Sequence, residues 1–305
     1  MMGKVVAMPN NSNRHLSLGL AALKKQNFAS AVPHLEKAFK QAPAFEIARP
    51  LVQALLGMQD AKAAVPYASQ FMEDFLATPE DTALLYDTLL ALPDYRFAWA
   101  VLHHVQGDPA PIAARIEAAE QADLAANGAA IDALAKKLRH LGGFAPHEQE
   151  QAIADLGRLP RAVMIDAAQP NLTDPDVHPA IRISLLDALT AVGDDTPVKV
   201  AGYQTSGEIV PSTLPGVLND QTLLQVLNHI QLEIGLNDPE LMRATVEVLR
   251  FELGYLYPFV DRAIKDPKHF AQSYLNKSGA TVTPEEHALF NWLQAQTAEL
   301  VNMAK

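Results

Sequence analysis

The chain has 305 residues, a formal net charge of −11, no cysteine, and 49% hydrophobic residues. That apolar content excludes wholesale disorder, and the length supports either one large core or a core spread along a stacked array. The acidic balance argues against nonspecific nucleic-acid binding and against docking on an anionic membrane, while the missing cysteines exclude disulfides, thiol nucleophiles and cysteine-ligated zinc.

Alanine and leucine carry much of the apolar content and glycines number only 15, a balance that favours helix over sheet. The opening MMGKVVAMPNNSNRH holds too short an apolar patch for a secretory signal, and no uncharged run reaches membrane-spanning length. The expectation is a soluble, cytoplasmic protein. The best basic cluster, Lys136-Lys137-Leu138-Arg139, reads as the solvated face of one helix.

Apolar residues from Leu16 to Leu23 fall at helical spacing, and a second amphipathic run covers Phe28 to Phe39. Asn27 is placed to cap that second helix, and Pro43 to end it. Pro33 lies inside it, and the tripeptide around it returns as Ala64-Val65-Pro66. The stretch reads His15-x2-Leu18-Gly19-x2-Ala22, then Ala31-x3-Leu35-x2-Ala38, then Pro43. It resembles a tetratricopeptide (TPR) repeat, a helix pair that recurs about every 34 residues. The resemblance implies that Gly19 and Ala31 are small to let the two helices approach, and that Leu18, Leu35 and Ala38 fill the layer between units. Ala64 lies 33 residues after Ala31, and Ala98 lies 34 after Ala64. Leu51, Leu55 and Phe71, then Leu85, Leu89, Tyr95 and Leu102, take the packing positions of the next two units. Val52 and Tyr86 stand where the first unit has Gly19, so those units are expected to pack differently.

Residues 111–142 read as two helices divided at Asn127-Gly128 and followed by Gly142-Gly143. Further pairs are expected over 147–192, with Pro179 at a helix start, Gly193 past its end, and Ile181, Leu185, Leu186 and Leu189 on one face. The pattern is like a HEAT or degenerate TPR unit. "PVKVAGYQTSGEIVP" predicts a β-hairpin with strands at Val198–Val200 and Glu208–Val210, turned by Gly202 and Ser206-Gly207. Helical sequence resumes over Gln221–Ile234, after Asn237-Asp238-Pro239, and at Thr283-Pro284, where Leu289, Trp292, Leu293 and Leu300 form an apolar stripe. The order of TPR-like pairs, "HPAIRISLLDAL" and a hairpin ending "PSTLP" resembles bacterial TPR proteins of no assigned activity. The fold expected is all-α, a TPR/HEAT-like superhelix with one small β-hairpin near 198–210. Its parts are TPR-like repeats over 13–107, further helical pairs over 108–196, and the hairpin with a C-terminal helical segment over 197–305.

Sequence patterns for chemistry are weak. The ten histidines do not form metal-binding spacings: His103 and His104 are adjacent and diverge on a helix, His147 lacks a second histidine one turn on, and His287 is wrongly spaced from Glu285. Phosphate-loop, dinucleotide and nucleophile-elbow motifs are missing. Asp194-Asp195 follow Gly193 in a loop, and Asp174 and Asp176 read as turn and capping residues. The aromatic run Phe251, Tyr255, Tyr257, Phe259, together with Trp99 and Trp292, fits core packing better than a partner patch.

In the TPR family the first helix of each pair lines a groove for a peptide or helix. The resemblance therefore places a partner-binding face at Asn13, Leu16, Leu20 and Lys24, at Arg49, Gln53 and Leu56, and at Asp87 and Leu90. Leu16 and Leu20 replace the lysine and asparagine of the TPR clamp for a terminal carboxylate, so an amphipathic segment suits the face better. The function expected is a non-catalytic protein- or peptide-binding scaffold, with no cofactor, no metal, no nucleic acid and no membrane, and with homo-oligomerisation left open. The alternatives are a peptide-responsive regulator and, behind it, a helical enzyme.

Overall fold

The computed structural model describes residues 11–235, 238–275 and 281–303. Among them it contains sixteen α-helices and one two-stranded antiparallel sheet, an all-α fold carrying a small β-hairpin. The chain divides into two compact units, up to Ala122 and from Asp123.

The first unit opens with α1 (Asn11–Lys24), α2 (Phe28–Gln41), α3 (Phe45–Gly57) and α4 (Ala61–Gln70). The one-turn α5 (Met72–Phe75), α6 (Pro79–Leu90), α7 (Tyr95–Leu102) and the start of α8 (Ala110–Arg139) follow. Local chemistry sets the three pairs. Asn27, Asp60 and Asp94 each accept a hydrogen bond from a first-turn amide, of Ser30, Ala63 and Phe97 respectively. Each cap precedes one of Ala31, Ala64 and Ala98 by the same interval, and all three alanines are fully buried. The cap and the small residue therefore recur together. Pro33 and Pro66 lie within α2 and α4 on exposed positions, so the carbonyls they leave without an amide partner face water.

Packing follows the repeat with one correction. Leu35, Ala38, Leu51, Leu55, Leu85, Leu89 and Tyr95 are buried as expected, while Phe71 and Leu102 are half-buried. Leu18, placed by the motif between units, is 43% exposed. The physical reason is the helical step of about 100°: Gly19 faces α2, which turns Leu18 and Leu20 to either side of the contact. A Cβ on Gly19 would lie 2.6 Å from Leu35 Cγ, so glycine is required for the close approach of α1 and α2. Tyr86, at the equivalent position of the third pair, is fully buried and donates its hydroxyl to the Ala98 carbonyl at 3.2 Å.

The α8 helix bends at Asn127 (φ −127°, ψ 18°), the point expected to divide two helices. Its basic cluster is engaged: Leu138 is buried, Lys137 sits 5.7 Å over the Phe144 ring, and Arg139 pairs with Asp166. The second unit continues through α9 (Pro146–Ala154), α10 (Arg161–Ala168), α11 (Pro179–Ala191) and the strands β1 (Val198–Gly202) and β2 (Thr205–Ile209). It closes with α12 (Gln221–Ile234), α13 (Pro239–Gly254), the short α14 (Val260–Ala263), α15 (Pro267–Tyr274) and α16 (Pro284–Met303). Of the start signal at Asn237-Asp238-Pro239, Asn237 lies outside the described residues, and Asp238 caps α13 through the Leu241 amide.

The hairpin corrects the turn expected from its glycines. Strands pair from Val198 with Ile209 to Gly202 with Thr205, leaving Tyr203-Gln204 as the turn, with Gln204 at φ 49°. Gly202 and Gly207 lie in the strands instead. A Cβ on either would come within 2.9 Å of the Phe259 ring, so these glycines let the hairpin lie against Phe259. Two arginines hold its flanks. Arg182 donates to the Ala201 carbonyl at 3.1 Å and Arg262 to the Ser206 carbonyl at 3.0 Å. Ala201 and Ser206 face each other in the ladder, so a carbonyl on each strand is already occupied from outside it.

Candidate functional site

The nine positions of the expected binding face lie on α1, α3 and α6, the first helices of the three pairs. Helix α1 touches α3, and α3 touches α6. None of the nine is buried: Asn13, Leu20, Lys24, Gln53 and Asp87 are exposed, and Leu16, Arg49, Leu56 and Leu90 are half-buried. The same helices bury Ile47, Ala48, Leu51, Val52, Leu85 and Leu89 on other faces.

Two of the nine are committed within the fold. Arg49 forms an ion pair with Asp81, a buried carboxylate that also accepts from the Thr78 hydroxyl at 2.9 Å. Asp87 pairs with Arg115 at the start of α8. Neither Asp81 nor Arg115 was legible as a partner, because each stands about thirty residues along the chain, one helix pair further on. The groups left for a ligand are Asn13, Lys24 and Gln53 beside Leu16, Leu20, Leu56 and Leu90. That mixture offers apolar contact with a few polar anchors.

Polar side chains line clefts of the second unit. A cleft of about 710 Å³ is lined by His178, Arg182, Tyr203, Trp292 and Gln296. Its two reactive-looking groups are structural. His178 caps α11: its Nδ1 accepts from the Ala180 amide at 3.1 Å, which places the ring proton on Nε2, and Nε2 donates to the Gln296 carbonyl at 3.1 Å. Burial holds its pKa below the ordinary histidine value, so the neutral ring has no nitrogen left to act as a base or a ligand. Arg182 spends its Nη donors on the carbonyls of Asp174, Val177 and Ala201. Asp174 and Asp176 form a turn, through the Asp176 amide, as expected, and Asp194 accepts from the Thr196 amide.

A second cavity, of about 580 Å³, contains Glu252, Ser273, Tyr274 and His287. Burial raises the Glu252 carboxyl, and Tyr274, which hydrogen-bonds it, is pushed up to about 12, by burial first and by the Glu252 charge second. Beside it Ser273, His269 and Glu286 approach one another, but not as a nucleophilic triad. In a triad the serine and the carboxylate occupy opposite imidazole nitrogens. Here both lie at His269 Nδ1, at 3.5 and 2.8 Å, and Ser273 donates directly to Glu286 at 3.2 Å. Glu286 also accepts from the Thr283 amide while Thr283 Oγ1 accepts from the Glu286 amide, a capping box at the start of α16.

That network gives Glu286 a measurable signature. Burial works to raise its carboxyl, but donation from the Thr283 amide, His269 and Ser273 outweighs burial and holds the pKa below the ordinary 4.5. The unfolded chain therefore takes up this proton first, and the carboxylate's contribution is complete above 4.5 and drains as pH falls through the lower folded value. Glu286→Gln is expected to lower the thermal midpoint at neutral pH, with the gap to the parent chain closing under acid. A gap that stays constant across that range, measured by circular dichroism, would rule this account out.

Among the described residues no three His, Asp or Glu side chains converge in a group that could hold a metal, and no helix is long and apolar enough to cross a membrane. The aromatic run is split: Tyr255, Tyr257 and Phe259 are core, while Phe251 is 48% exposed. Trp99 is buried with its indole donating to Glu120 at 2.8 Å, and Trp292 packs on Tyr203. No protein-family model, no curated protein and no solved structure matches the chain.

Proposed function

We propose that this chain is a protein- or peptide-binding module of the tetratricopeptide type, and that the accessible face of α1, α3 and α6 receives an amphipathic segment of its partner. One observation carries the reading: all nine positions that the repeat register assigns to the face are accessible, on helices whose other faces are buried. The composition of the free part supports the partner class. Leu16, Leu20, Leu56 and Leu90 offer apolar contact, and Asn13, Gln53 and Lys24 offer hydrogen bonds and one positive charge. Arg49 and Asp87 act as struts within this reading, bracing neighbouring helices through Asp81 and Arg115.

The test uses residues that are not struts. The full chain is used to capture and crosslink its partner from the native host, in parallel with a Leu20→Glu, Gln53→Ala variant. Both side chains are exposed, so the variant should keep the parent's thermal midpoint to within about 0.5 kcal/mol of stability. Capture is expected to fall about tenfold or more. Undiminished capture by the folded variant would move the binding face elsewhere.

A further inference from the structure

An apolar groove runs between α11 and α13 in the second unit, with a volume of about 440 Å³. Ala180 and Ile183 line it from α11, and Gly254, Tyr255 and Val217 complete its lining. Two of its lining side chains are large, apolar and left in water by the fold, Leu218 at 64% exposure and Phe251 at 48%, and Val248, next to the lining Glu247 on α13, is 49% exposed. Phe251 packs edge-on against Tyr255, with centroids 5.2 Å apart. A lone exposed leucine is ordinary, but exposed apolar side chains gathered on one apolar groove are of the sort that marks an interaction surface.

We propose that the occupant of this groove is a second copy of the chain, bound through a twofold axis. The patch contains both a hollow and the projections to fill one, which is what an isologous interface requires, since each copy gives and receives the same groups. Its rim is charged so as to complement itself. Glu247 and Arg250 both line the groove, both are exposed, and neither pairs with any described residue. A partner bearing one sign of charge satisfies one of them and repels the other. Two copies of α13 running antiparallel across a twofold axis set Glu247 of each opposite Arg250 of the other, so both pairs form at once. The overall charge of −11 opposes self-association at long range, but at physiological salt that repulsion is screened beyond about 8 Å while contact pairs persist. This surface is separate from the face of α1, α3 and α6, and its test does not depend on that reading.

Sedimentation equilibrium of the full chain near physiological salt is expected to give twice the monomer mass at micromolar concentration. Glu247→Arg alone and Arg250→Glu alone should each raise the dissociation constant about tenfold. The double variant Glu247→Arg, Arg250→Glu recreates both cross-pairs and should restore the dimer. Phe251→Glu should give a monomer, with circular dichroism checking that it is folded. A parent chain that stays monomeric up to about 100 µM overturns the proposal. So does a double variant no tighter than the singles, or crosslinking of this patch to a different protein in place of a second copy.

Discussion

Asn171→Asp is expected to be among the most damaging single substitutions in the second unit, lowering stability by about 3–5 kcal/mol. Asn171 is 1% exposed and its amide is fully used. Nδ2 donates to the carbonyls of Leu138 at 2.7 Å and Ala167 at 3.0 Å, and Oδ1 accepts from the Leu141 amide at 3.2 Å. The Leu138 carbonyl is one of the last in α8, where the helix leaves its carbonyls without internal partners. Asn171 thus supplies a C-terminal cap from a segment distant in sequence. Aspartate has nearly the same shape but replaces both N–H donors with a carboxylate oxygen facing two carbonyls, in a site closed to solvent. Asn171→Leu removes the repulsion and still leaves the Leu138 carbonyl and Leu141 amide unpaired, so about 2–4 kcal/mol is expected there. The chain has two tryptophans, and Trp99 and Trp292 lie in different units. On a Trp99→Phe background, urea unfolding followed at Trp292 therefore reads the second unit. An Asn171→Asp midpoint equal to the parent's would show that the amide contributes nothing.

Asn171 also marks where sequence reasoning runs out. Helices, caps and repeat phase were legible because their causes are local: Asn27 caps α2 within three residues, and Leu289 and Leu293 share one helical face. The groups that fix one element against another were not. Nothing in "QPNL" indicates that the asparagine closes the end of α8. His178 is a cap outside the usual Ser, Thr, Asp and Asn set, recognisable only from the Pro179 that follows it. Gly202 and Gly207 carried a real signal that was assigned to the wrong cause, since a sequence shows a glycine without showing the Phe259 ring that requires it. The candidate face divides in the same way. Its register and accessibility follow from the repeat, whereas the commitment of Arg49 to Asp81 and of Asp87 to Arg115 depends on how successive pairs meet.

Gly19→Val tests that meeting of helices directly, because local and tertiary effects predict opposite signs. Glycine inside a helix costs about 1 kcal/mol relative to alanine, so at an exposed position of α1 valine in its place would be neutral or stabilising. Gly19 is buried, and the Cβ added to it would meet Leu35 at 2.6 Å from Cγ and 3.3 Å from the backbone nitrogen. Leu35 is itself fully buried, so it has no solvent side to swing into. The helices must separate, and a loss of about 1–3 kcal/mol is expected, read as a lower urea midpoint at Trp99 in a Trp292→Phe background. The second pair already shows a way to accommodate the larger residue. Where the first pair has Gly19 and Leu35, the matching positions hold Val52 and Ala68, both fully buried, the large residue having moved from one helix to the other. Transplanting that arrangement, Gly19→Val with Leu35→Ala, should therefore cost less than the sum of the two single changes, with a favourable coupling of about 0.5–3 kcal/mol. Strict additivity would mean that the two positions do not share a contact and that each pair packs by rules of its own. Coupling of the expected sign would mean that volume is conserved across the repeat while its distribution varies, which explains how Val52 stands where the first pair requires glycine.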